Sequence, residues 1–79
     1  ETPSVIGIDE FKLHDGHKYA TVILSMETGH VLYLAKGKKK HVVYDFIDFV
    51  GEEWMDNVEA VCVFDTLKLP KMIFRNSII

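Results

Sequence analysis

Short apolar runs separated by turn-forming residues fill the first part of the chain, and a stretch with helical spacing follows them. Val5 to Phe11 (VIGIDEF) is apolar and β-branched, with acids arriving near its end. That is the pattern of a central strand. As a strand, it places Val5, Gly7, Asp9 and Phe11 on one face and Ile6, Ile8 and Glu10 on the other. Asp15-Gly16 marks a turn, and Lys18 to Met26 (KYATVILSM) reads as a second strand. Glu27-Thr28-Gly29 is another turn before a third strand, His30 to Ala35 (HVLYLA). Connections this short predict an antiparallel meander, because a parallel return needs a crossover of about ten or more residues.

Gly37 to Lys40 breaks the strand pattern with lysines. Val42, Val43, Phe46, Ile47, Phe49, Val50 and Trp54 then recur at helical spacing and predict one helix from Lys39 to Trp54. Its other side carries Asp45, Asp48, Glu52 and Glu53. Lysines at the start and acids near the end both oppose the helix dipole. Val58 to Phe64 (VEAVCVF) predicts a fourth strand buried on both faces. The helix supplies the crossover that lets this strand lie parallel to an earlier one. Pro70 interrupts the remaining residues, where the pattern leaves open a short helix or a strand that covers the sheet.

The expected architecture is α/β: β-β-β-α-β, a mixed sheet of order 3-2-1-4 with one helix on one face. One helix covers one side only, so apolar strand surface is expected on the other. A homo-oligomer, either a dimer or a swapped assembly, would cover it.

Composition narrows the picture. With 79 residues the chain is one small domain, and 48% apolar residues are enough for a core. The length predicts a fragment, a minimal domain or an obligate oligomer. A net charge of −3 gives no general electrostatic pull toward DNA or an anionic membrane. Cys62 is the single cysteine, so neither an internal disulfide nor a paired-cysteine metal knuckle is expected, and the cytoplasm is the default compartment. No apolar run approaches the roughly 20 residues of a membrane span, and no secretory signal is visible.

Asp9 stands out chemically, as a carboxylate in a strand otherwise built from Val, Ile and Gly. Such a group needs solvent, a hydrogen-bond partner or a metal. VIGIDEF, then KYATVILSMETGHVLYL, an amphipathic helix and VEAVCV, in this order and spacing, resemble the start of the catalytic domain of DDE-type insertion-sequence transposases. The likeness covers residues 5–63, leaving 64–79 as a divergent tail. It implies an RNase H-like fold in which carboxylates on two neighbouring parallel strands hold Mg²⁺ or Mn²⁺ for DNA cleavage and strand transfer. On this resemblance Asp9 corresponds to the first acid of the Asp-Asp-Glu triad. The second acid is expected where Phe64 stands, and Asp65 comes one residue late. A one-residue shift in a continuing strand reverses the side chain's face, although a bulge can restore it. Asp65 is therefore the candidate second catalytic and metal-binding residue, and the chain supplies no match to the triad glutamate. The resemblance thus implies a fragment or degenerate remnant of a transposase that is inactive alone, with DNA as the parent's partner. The alternative is a non-catalytic module for self-association or protein interaction.

Other candidates have simpler structural readings. Glu10 points away from Asp9 and reads as a structural residue. His14, His17, His30 and His41 are scattered, without a ligand frame for zinc. Lys36, Lys38, Lys39 and Lys40 form a basic cluster that suits either a solvated loop or a phosphate contact. Tyr44, Phe46, Phe49 and Trp54 read as core, and Cys62 as an inert buried hydrophobe.

Overall fold

The computed structural model describes residues 2–13, 18–65 and 68–74, with backbone alone at Asp65 and Lys68. The meander forms as the pattern predicts: β1 (Val5–Lys12), β2 (Tyr19–Ser25) and β3 (Val31–Lys36). β1 pairs antiparallel with β2, and β2 with β3. α1 (Lys39–Val50) and the single turn α2 (Glu52–Met55) then lead to β4 (Ala60–Asp65), which runs parallel to β1. β5 (Lys68–Phe74) pairs antiparallel with β4, giving the order β3-β2-β1-β4-β5.

Two expectations need correction. The single helix to Trp54 is broken at Gly51, whose φ of 86° is a conformation that side-chain-bearing residues rarely adopt. The Gly51 N–H closes α1 on the Ile47 carbonyl at 2.9 Å. The order 3-2-1-4 gains a fifth strand, so β4 is not the sheet edge. Pro70 is tolerated in β5 because β5 is an edge strand of this sheet, and an edge position does not require every backbone N–H in a ladder.

The core lies between α1 and one face of the sheet. Ile6, Ile8 and Ile23 meet Val42 and Phe46 there, with Val58 closing one side. Phe46 is 1% exposed, and its ring stands edge-on to Trp54 at 5.3 Å and tilted against Tyr33 at 5.5 Å. Burying such a side chain contributes roughly 1.5–3 kcal/mol. Tyr44 and Phe49, expected in the core, are exposed instead. Tyr44 is two residues from Phe46 and so about 200° around the helix. Phe49 lies at the last turn of α1, its ring tilted against Tyr33 at 5.7 Å. Cys62 is buried, as expected.

Thr21, fully buried in β2, donates its hydroxyl to the Gly37 carbonyl at 2.9 Å. At the opposite end of the sheet, one Glu27 carboxylate oxygen accepts from the Ser4 N–H at 2.6 Å, the Ser4 hydroxyl at 2.9 Å and the Val5 N–H at 3.4 Å. The backbone and hydroxyl bonds from Ser4 hold the Glu27 carboxyl below its usual pKa of 4.5. A carboxyl depressed on folding adds stability above its unfolded pKa and loses it as pH falls through the folded value. Wild type should therefore exceed Glu27→Gln in urea midpoint at pH 7, and the gap should shrink by pH 3. An equal gap at both values would show that the charge on Glu27 is not what matters.

Candidate functional site

Asp9 lies on the face of β1 turned away from α1, and it is exposed. Its partners in register are Val22 on β2 and Phe64 on β4. The Phe64 ring and the Met26 side chain close over Gly7, two residues earlier on the same face. A Cβ at Gly7 would sit 3.3 Å from Phe64 Cε2 and 2.6 Å from Met26 Sδ. The strand beside Asp9 thus presents an aromatic ring at the register position facing it. Asp65 ends β4, and its side chain lies outside the described part of the structure.

Divalent cations such as Mg²⁺ are held by one or two carboxylates together with water and substrate oxygens. Asp9 fits as one such ligand. Among the described residues, no group of three or more His, Cys, Asp or Glu could hold a metal ion. His30 and His41 are exposed, whereas His14 and His17 lie outside the described residues.

Behind Asp9 the structure is firmly tied. Glu10 projects to the helix side, where its Oε1 accepts the Lys39 N–H at 2.9 Å. This satisfies one of the orphan donors at the start of α1, a capping role worth about 1 kcal/mol. Lys39 Nζ in turn donates to the Phe64 carbonyl at 3.2 Å. The start of α1 is thereby pinned to the C-terminal ends of β1 and β4. The structural reading of Glu10 holds, and one lysine of the basic cluster has a structural task.

The same end of the sheet carries a shallow groove of about 360 Å³, lined by Lys18, Tyr19, Lys36, Gly37 and Lys38. Sheet pairing builds it, since Ala20 on β2 stands opposite Lys36 on β3. Lys38 Nζ lies 5.0 Å from the centre of the Tyr19 ring. Sequence reasoning found Lys36 and Lys38 through their clustering. It missed Lys18 and Tyr19, which are distant in sequence and join the cluster only through the register.

The sequence profile of the ISL3 transposase family, described as transposase, matches residues 6–68. The chain belongs to this transposase family. That span takes in β1 with Asp9, the meander, α1 and β4. The transposase chain is also 29% identical over 58 residues to the transposase of insertion sequence element IS1001 from Bordetella parapertussis. The similarity covers 73% of this chain and 14% of that relative, so the chain spans a small part of the curated transposase it matches. No solved structure matches it. No helix among the described residues is long and apolar enough to cross a membrane.

Proposed function

We propose that this chain is the opening part of an RNase H-like, DDE-type transposase catalytic domain, with Asp9 as the first carboxylate ligand of a Mg²⁺ or Mn²⁺ site. The parent reaction is metal-dependent cleavage and strand transfer of DNA in the cytoplasm. Asp65 is the candidate second ligand. The observation that carries this reading is the position of Asp9, exposed on a central strand whose parallel neighbour is β4. Paired carboxylates on adjacent parallel strands are the arrangement that two-metal phosphoryl chemistry uses. The register of Phe64 opposite Asp9 supports a chain that is inactive in DNA cleavage by itself. Nicking of supercoiled plasmid by this chain with Mn²⁺ would refute that part.

Titration with Mn²⁺, followed by amide NMR, tests the assignment of Asp9. Paramagnetic broadening is expected to centre on Asp9 and its register partners Val22 and Phe64, and to vanish in Asp9→Asn. Broadening that survives the substitution, or that centres elsewhere, removes Asp9 from the role.

Self-association is the second reading. It is favoured by the row of exposed apolar side chains on the sheet face that α1 leaves bare, including Leu34 and Phe74.

A further inference from the structure

The charges on α1 are arranged against the helix. Lys38 is its N-cap, Lys39 and Lys40 follow, and the first turn holds no acid. The backbone N–H groups of that turn already carry partial positive charge, so each added lysine there costs helix stability. The acids Asp45, Asp48, Glu52 and Glu53 sit toward the opposite end. A chain with net charge −3 nonetheless places Lys12, Lys18, Lys36, Lys38, Lys39, Lys40 and Lys68, seven of its nine basic residues, at one end of the sheet. Lys39 serves the fold through the Phe64 carbonyl, whereas Lys18, Lys36 and Lys38 are exposed around one groove.

The groove gives that charge a shape. Gly37, at φ 129°, makes the bend between β3 and α1. The bend is fastened at both polar atoms: the Gly37 N–H donates to the Tyr19 carbonyl at 2.7 Å, and its own carbonyl accepts from Thr21. Lys18, Lys36 and Lys38 are exposed around this fixed bend, and the Tyr19 ring beneath Lys38 restricts where that ammonium goes. Lys36 is on the same sheet face as Asp9, because Phe11, Ala20 and Lys36 are in register one step beyond Asp9, Val22 and Leu34. At about 4.8 Å between strands and 6.8 Å per two-residue step, the two side chains are rooted roughly 12 Å apart. That is about three to four nucleotides of a DNA strand at 3.4 Å each.

We propose that Lys18, Lys36 and Lys38 form a phosphodiester-binding groove that grips the DNA backbone a few nucleotides from Asp9. The inference deepens the transposase reading and rests on it for the choice of DNA as the polyanion. The lysines contact phosphate and carry no sequence information, so the groove holds the strand in position and leaves target choice to other contacts.

Binding of a labelled duplex across a salt series tests this. Each released phosphate contact contributes about 0.9 to the slope of log K against log salt. Lys18→Gln, Lys36→Gln and Lys38→Gln combined should lower that slope by roughly 2–3. Lys71→Gln, an exposed lysine on β5, should change it by less than any single groove substitution. Unchanged melting of each variant confirms that folding is not the cause. A triple variant with the wild-type slope, an equal effect of Lys71→Gln, or tighter binding to polyglutamate than to DNA overturns the groove. Manganese broadening at Asp9 with no groove-dependent binding sinks the groove alone. Groove-dependent binding with no metal at Asp9 sinks the catalytic lineage of Asp9 alone.

Discussion

Phe64→Asp is expected to strengthen Mn²⁺ binding at Asp9 on the order of tenfold or more, because charge count tunes such affinities. Asp9 and residue 64 are register partners on parallel strands, and side chains in register share a face. A carboxylate at position 64 would therefore stand next to Asp9, about one strand spacing away, near 4.8 Å. In the absence of metal the two charges repel, which raises the pKa of one of them and makes metal binding steeply dependent on pH. The substitution also removes a ring that packs over Gly7, so some loss of stability accompanies the gain in binding. Isothermal titration with Mn²⁺, on wild type, Phe64→Asp and Phe64→Asp with Asp9→Asn, checks the effect. The gain should disappear in the double variant. No gain in the folded single variant would mean that the two positions do not converge, and the proposed lineage of Asp9 would lose its geometric support.

The second large effect concerns the bare face of the sheet. Phe11, Met26, Leu34, Met72 and Phe74 are each at least 40% exposed. The register places Phe11, Leu34, Met72 and Phe74 on the face opposite α1, and the approach to Gly7 puts Met26 there as well. They share that face with Asp9 and Lys36, and this much exposed apolar surface is uncommon on a free-standing monomer. Two copies packed face to face would bury it, since sheets stack at about 10 Å and a two-fold axis makes one patch its own complement. Leu34→Glu with Phe74→Glu should then weaken dimerisation at least about 100-fold, or ~3 kcal/mol, from the lost apolar burial and the added like charges. Sedimentation equilibrium of wild type and variant measures it. A wild-type chain that stays monomeric at millimolar concentration would rule out the face-to-face pair. An unchanged variant dimer would place the interface elsewhere.

Much of the fold was legible because its signals are local. Alternation and β-branching mark β1 to β3, the turns force their antiparallel pairing, and the apolar spacing of Val42, Phe46 and Val50 marks α1. The parallel pairing of β1 with β4 also followed, since a helix between two strands permits little else. Asp9 was conspicuous as the acid in an apolar strand, whereas the expectation of a second acid where Phe64 stands came from the family resemblance. The helix boundary was missed at Gly51, whose positive φ breaks a pattern that the apolar residues continue through Trp54. β5 stayed undecided between a helix and a strand because Pro70 speaks against a strand, and an edge position removes that objection.

Taken alone, the amino-acid order determined which segments are strands and helix, which faces are apolar, and which single acid stands out. Each of these depends on neighbours a few positions away. The tertiary structure alone decided that Glu10 caps α1, that Glu27 fastens Ser4, and that Lys18 and Tyr19 meet Lys36 and Lys38 in one groove. Those meetings join residues far apart in the chain. They depend on strand register and on how α1 seats against the sheet, and neither leaves a periodic trace in the sequence.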